Sequence, residues 1–271
     1  MAFPTGLAFG GRLHAHGNPS TLPAVFDRQR GTKPADQVLV ALERGRDGYV
    51  GSWCLDLPGC YALVPPGSDP IERSTMAILE FASWSHQRSA ERFALEPGQV
   101  VVAESVSSDA DLRAGDTVAF FPHDAEPPRP NEFPLWATPH DTALDELREL
   151  AKSIPPAMQD HRLDSSGRTV LQEIEHVAET ERFYASRLRP AEARPPRAAG
   201  RDPGFRDLQD AHVSLQQVVC DVAPGTRSSL PSEPAGQVEL WSVRKVMRRS
   251  IWHLRYHTWE LRRAIGSIWL S

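Results

Sequence analysis

Cysteine is scarce in this sequence: Cys54, Cys60 and Cys220 are the only three among 271 residues. Three thiols make no disulfide framework and an odd number leaves one over, so the fold has to rest on a packed core. No apolar run approaches the roughly 20 residues that cross a bilayer. The first twenty residues lack a basic start followed by a long apolar stretch, so they do not read as a secretory signal. A soluble cytoplasmic protein without a membrane partner is expected. A basic excess is missing too: 30 Lys and Arg against 35 Asp and Glu leave a formal charge of −5. That balance argues against a nucleic-acid partner. Proline, by contrast, is plentiful, and its 24 residues cluster and mark the joints. A chain of this length is expected to hold two domains.

Residues 1–35 show no period and read as a disordered leader, with His14 and His16 as solvated residues. Residues 36–120 read as a small α+β unit. Strands are expected at residues 38–42, 49–55, 60–64 and 99–106, with the Asp47-Gly48 step turning the first hairpin. A helix between the third and fourth strands opens with Asp69 as cap and Pro70 at its first position. Met76, Ile78, Leu79, Phe81, Ala82 and Trp84 form its expected apolar stripe.

Proline density across residues 121–139 reads as a linker in which neither helix nor ladder persists. Residues 140–271 then show four helical segments, at 142–153 behind Asp141, 169–188, 205–222 and 242–268, separated by breaker-rich loops. This pattern predicts an all-α four-helix bundle.

The last segment contains His253 and His257, four residues apart and so on one helical face. Two such imidazoles can converge on one ion at about 2.0–2.1 Å. Both lie on the flank of the stripe Val243, Met247, Ser250, Leu254, Leu261, Ile265, as His176 flanks Val170, Ile174 and Val177 on the second helix. His176 is the best third ligand and His212, on the third helix, an alternative. A pair of this kind also fits two satisfied polar groups at a helix interface. Arg244, Lys245, Arg248, Arg249, Arg255, Arg262 and Arg263 crowd the same helix. The expected role for most of them is pairing with Glu173, Glu175, Glu179 and Glu181 of the second helix. Arg249 is a candidate for holding a substrate carboxylate, Glu173 or Glu179 for orienting a ligand imidazole, and Tyr256 or Tyr184 for donating a proton nearby. Cys220, beside Val218 and Val219, reads as a buried small hydrophobe.

The lone histidine of the second helix, the proline-rich middle and the run WSVRKVMRRSIWHLRYHTWEL resemble the DinB-like superfamily over about residues 140–268. The resemblance implies one histidine on the second helix and an HxxxH pair on the last, together binding a divalent ion. His176, His253 and His257 fall at those positions. Three protein ligands leave coordination positions open, the pattern of a catalytic site. Zinc, nickel and iron all suit three imidazoles. The superfamily includes mycothiol-, bacillithiol- and glutathione-dependent transferases and isomerases. The implied activity is therefore that of a metal-dependent thiol transferase, isomerase or hydrolase, with a low-molecular-weight thiol as cofactor and a small molecule as substrate.

In the N-terminal half, Asp56-Leu57-Pro58-Gly59-Cys60 and the strands around it resemble the HicB-like β-β-β-α-β module over residues 36–108. Such modules cover small ribonuclease toxins. No DNA-binding segment follows here, so the expected role is an accessory or dimerisation module, with a homodimer as the expected assembly. Cys54 and Cys60 flank the turn as reduced thiols that can touch. The alternative to an enzyme is a regulatory protein whose HicB-like module binds a protein partner while the metal is structural.

Overall fold

The structure, a computed structural model, describes residues 37–86, 98–115, 117–160, 162–163, 166–189, 203–232 and 237–269. The expected leader, with His14 and His16, lies outside them.

The N-terminal elements are β1 (Val38–Arg44), β2 (Val50–Cys54), β3 (Tyr61–Val64), α1 (Pro70–His86) and β4 (Val100–Ser107). The first three strands form an antiparallel meander, and β4 returns through α1 to lie parallel to β1, giving the order β3-β2-β1-β4. A parallel neighbour needs a crossover of this kind, and the helix supplies it. Asp69 caps α1 by accepting from the Ile71 N–H at 2.9 Å, and Pro70 is the first helical residue. Ile78, Phe81, Ala82 and Trp84 are buried, but Met76 and Leu79 are exposed. At 100° per residue Met76 lies about 200° from Ile78, so the stripe is narrower than expected.

The C-terminal part is helical, with a hairpin before its last helix. Its elements are α2 (Glu132–Ser153), the single turn α3 (Pro156–Gln159), α4 (Val170–Leu188), α5 (Pro203–Asp221), β5 (Arg227–Ser232), β6 (Gln237–Ser242) and α6 (Val243–Trp269). Helix α4 packs on α5 and α6, and α2 packs on α6 and α5. Thr169 and Gln172 make a reciprocal capping box at the start of α4. Ser242 accepts from the Lys245 N–H at the start of α6.

Three expectations fail here. The proline-rich segment is not an extended linker, because α2 begins at Glu132 and runs through Pro139. Pro134 sits in the first turn, where amides have no helical acceptor, and Pro139 removes a single i→i−4 bond. Asp141 is consequently mid-helix and caps nothing. The stretch read as a loop before the last helix is the antiparallel hairpin β5–β6. Both of its strands are edges, where a proline's missing amide is tolerated. Cys220 is exposed, one position past the buried Val218 and Val219 on α5.

The two halves share one apolar core. Val40, Cys54, Cys60, Ile78 and Phe81 belong to the same buried cluster as Leu144, Leu147, Ile174, Leu208, Ile251 and Leu254. Gly59 marks the closest approach. Its φ of 89° favours glycine, and a Cβ there would meet Ile251 Cγ2 at 2.3 Å. The two thiols beside this turn are buried and free. Hydrogen bonding to Cys54, then burial, holds the Cys60 thiol well above its ordinary range, which keeps it protonated and inert.

Helix α6 is buried on most of its faces, charges included. Six of its seven basic residues pair with acids outside α4, where partners on α4 were expected, and Arg244, Lys245 and Arg248 gather the segment between the halves. Arg248 is buried and forms a two-point contact with Asp124 (3.0 and 2.8 Å) while donating to the Ala119 carbonyl at 2.7 Å. Its guanidinium also faces the Trp53 and Phe121 rings. Arg244 pairs with Glu132 at 2.7 Å and donates to the Glu126 carbonyl at 3.0 Å. Lys245, fully buried, donates to Glu239 (2.7 Å) and to the carbonyls of Val118 (2.9 Å) and Leu240 (3.0 Å). Further along, Arg255 pairs with Glu80 of α1 and Arg262 with Glu146 of α2. The acids were misassigned because sequence distance hides them: Asp124 is 124 residues from Arg248.

Two predictions follow from these clamps. Arg248→Met should cost about 3–5 kcal/mol in urea unfolding, since it strands the Asp124 carboxylate in the core. Adding Asp124→Asn, which still accepts from the Phe121 N–H, should recover part of that loss; simple additivity of the two changes would contradict the ion pair. Burial holds the Lys245 ammonium down to about 8, against the opposing pull of Glu239. Between that value and the ordinary 10.5 the unfolded chain binds more protons, so this residue's contribution to stability rises with pH. The unfolding free energy of the parent relative to Lys245→Met should climb across that window by roughly 3 kcal/mol at most. A difference that stays flat from pH 8 upward would refute the assignment.

Candidate metal centre

Helix α4 carries Glu173 and His176 one turn apart, and α6 carries His253, His257 and Glu260 on the face packed against it. The structure brings His176, His253 and His257 together, with one ring nitrogen from each lying within 4.8 Å of the others. Nε2 of His257 is 2.9 Å from Nε2 of His253. The ring centres of His176 lie 5.3 Å from His253 and 5.0 Å from His257. His253 and His257 are buried, whereas His176 is only half-buried. The cluster is therefore closed on the α6 side and approachable beside His176.

The far nitrogen of His257 fixes its role. Nδ1 lies 2.5 Å from Glu173 Oε1 and 3.1 Å from Glu260 Oε2. An ionised carboxylate only accepts, so Nδ1 carries a proton and Nε2 is the nitrogen presented to the other imidazoles. A carboxylate behind a ligating imidazole is the usual way to fix its tautomer and raise its basicity. Tyr256 extends the chain, its hydroxyl donating to Glu260 Oε1 at 3.2 Å. Burial, with Glu260 beside it, pushes the Tyr256 phenol well above its ordinary range, so it stays a donor.

Charge is distributed to match. Burial lowers His176 to about 3, helped by His257 and Arg168. Burial also holds His253 well below the ordinary histidine range, with His257 and His176 adding to it. Both imidazoles are thus neutral and offer lone pairs. His257 goes the other way: burial opposes its charge, but Glu173 and Glu260 outweigh it. Glu173 drops to about 2 despite burial, because His257 donates to it.

These residues fit a divalent ion. Two nitrogens bound tetrahedrally at 2.0–2.1 Å stand about 3.3 Å apart, so the pair at 2.9 Å has to open by only a few tenths of an ångström. The donor set is three imidazoles, and two buried carboxylates stand behind one of them to balance a double positive charge.

The remaining sequence candidates fall in different places. Glu173, not Glu179, is the acid that holds His257. Arg249 donates to the Thr117 carbonyl and pairs with Glu239 at 3.6 Å, which draws its guanidinium toward the connecting segment and the hairpin. Tyr184 is buried, 6.3 Å from the His253 ring centre, and burial raises its phenol. His212 stands apart from the three imidazoles, against His140 and Glu181. Sequence reasoning missed Glu260, His140 and Ser250 as polar partners. Glu260 was detectable, since it follows His257 by three residues as Glu173 precedes His176 by three, which are same-face spacings. His140 was hidden by the prolines around it, which made its helix read as a linker.

Replacing Glu173 by Gln keeps an acceptor for Nδ1 but removes the charge. Zinc titration of this variant should show the parent's stoichiometry with affinity about 10–100-fold weaker. Equal affinity would remove Glu173 from the centre.

The family model described as the DinB superfamily matches residues 140–261, a stretch that contains all three imidazoles and both carboxylates behind His257. No curated protein and no solved structure matches the chain. The C-terminal part of the chain is therefore DinB-like.

Proposed function

We propose that the DinB-like part holds one divalent ion (zinc, nickel or iron) on His176, His253 and His257, and that the protein is a metal-dependent transferase or isomerase acting through a low-molecular-weight thiol. The observation that carries this reading is the convergence of three imidazole nitrogens within 4.8 Å, two buried and one half-exposed. When bound, the ion supplies a Lewis acid that lowers the pKa of a thiol or water at its open position. The chain's own residues do the rest. Glu173 and Glu260 hold the His257 ring and its Nδ1 proton in place. Trp252, Tyr256 and Trp259 line one face of α6 in tilted contacts, giving an aromatic flank beside the histidines.

In the same reading the N-terminal unit is a HicB-like accessory module. The order β-β-β-α-β and the Asp56-Leu57-Pro58-Gly59-Cys60 turn support it. The turn closes on Ile251, two residues before His253, so the module braces the helix that carries two of the three ligands.

The test is elemental analysis of protein purified without an affinity tag, beside His253→Ala, followed by thiol titration of a cobalt-substituted sample. Metal in the parent that is lost from this centre in the variant, with a cobalt spectrum that shifts on adding glutathione or a related thiol, would support the enzyme. A bound ion whose spectrum ignores every thiol would leave a structural metal and favour a regulatory protein with a protein partner. If the parent takes up no zinc, nickel or iron, the centre is not a metal site.

A further inference from the structure

A second polar cluster lies in the core of the helical part, built from residues outside the three-histidine centre. Four helices each send one side chain to it: His140 from α2, Glu181 from α4, His212 from α5 and Ser250 from α6. Their relative exposures are 0%, 0%, 1% and 0%, among neighbours such as Leu147, Leu208 and Leu254. Each buried polar group costs about 1–3 kcal/mol unless it is met, so four at one point call for a reason.

The contacts converge on the Glu181 carboxylate. Its Oε2 lies 3.1 Å from His140 Nε2 and 3.4 Å from His212 Nδ1, and its Oε1 accepts from Ser250 Oγ at 2.5 Å. Ser250 Oγ is also 2.7 Å from His140 Nε2. The two rings are tilted by 35° with centres 3.9 Å apart, and a nitrogen of each faces the same carboxylate. One nitrogen from each ring and a Glu181 oxygen lie within 4.8 Å of one another.

We infer that His140, Glu181 and His212, with the Ser250 hydroxyl, form a second divalent-cation site. Its plan repeats that of the first centre. Nε2 of His212 is 2.9 Å from Asp141 Oδ1, which also accepts from Gln216 at 2.7 Å. A carboxylate thus stands behind this imidazole as Glu173 stands behind His257, leaving Nδ1 as the inward nitrogen. That Nδ1 is buried and meets Glu181 at 3.4 Å, an ion pair too long for a well-formed hydrogen bond. An ion between them would take the place of the proton that Nδ1 otherwise shares with Glu181. Against the pull of burial, Asp141 and Glu181 hold His212 up to about 9, and a divalent ion that displaced the Nδ1 proton would be neutralised by the same two carboxylates. The donors are two imidazoles, one carboxylate and a hydroxyl, a harder set than three imidazoles, which favours manganese(II) or iron(II) alongside zinc and disfavours copper(I). The inference depends on helix packing alone and stands whether or not the first centre is catalytic.

The test uses the full chain, stripped with a chelator and titrated anaerobically with manganese(II), iron(II) or zinc(II) alone. The parent should bind two equivalents of at least one of these ions. His253→Ala/His257→Ala should keep one of the two, and Glu181→Gln in that background should bind none. If the double variant, folded by circular dichroism, binds no ion, the cluster is a hydrogen-bonded network and the inference is overturned. Should Glu181→Gln fail to fold, the imidazole NMR signals of His140 and His212 in the double variant decide: they should shift or broaden as zinc or manganese is added, and unchanged signals would overturn the site.

Discussion

A helix that is charged and yet surrounded by protein must bring its counter-charges into the core with it, and α6 imposes that constraint on everything around it. Arg244, Lys245 and Arg248 are all buried. Each is met within hydrogen-bond distance by a carboxylate, and backbone carbonyls take the donors that remain. Removing an ion from water costs several kcal/mol, so pairs of this kind add little net stability. What they fix is geometry. The segment at residues 117–132, which has neither sheet nor long helix to hold it until α2 begins, is placed because its carbonyls and acids are where these cations need partners. The backbone between the halves is thereby part of the core, which is why a stretch that reads as a linker does not behave as one.

The elements with a local signal were legible in the sequence. Asp69-Pro70 starts α1 and Thr169 starts α4 where the residues say they should, because a cap is a contact between residues two or three apart. The meander β1–β3 followed from short strand-like runs such as Val38–Leu42 and from its turn residues. What was illegible depends on long-range partners. Helix α2 begins ten residues before the expected start, at Glu132, because the buried Arg244 pairs with that acid. Nothing near Glu132 in the sequence announces the arginine. The hairpin β5–β6 was missed for a related reason: its prolines and serines argue for a loop, and only its packing against α4 and α6 makes the strands worth forming.

The candidate site shows the same division. His253 and His257 were legible because their relation is a helical spacing, and His176 because it flanks an apolar stripe on the neighbouring helix. The acids behind His257 were half legible: Glu173 was a candidate, but Glu260 was lost among the charges of α6. The second cluster was invisible. His140, Glu181, His212 and Ser250 come from four helices, no two in one spacing pattern, and only the packing of α2, α4, α5 and α6 brings them to one carboxylate.

Both clusters depend on the rotation of α6 about its own axis. One residue of helical advance turns a side chain by 100°, enough to carry His253 and His257 away from His176 and to withdraw Ser250 from Glu181. The clamps resist that rotation from several directions at once: Arg248 holds the helix to Asp124, Arg255 to Glu80 of α1, and Arg262 to Glu146 of α2. Ile251 is meanwhile pressed against Gly59, where no Cβ fits. These constraints come from the N-terminal sheet and its helix, from the connecting segment and from the helical part itself. A sheet that contributes no ligand to either cluster therefore still bears on the geometry of both. The register of its turn against α6 sets where two of the three imidazoles point, and a change confined to the Pro58-Gly59 turn acts on the metal centre through Ile251.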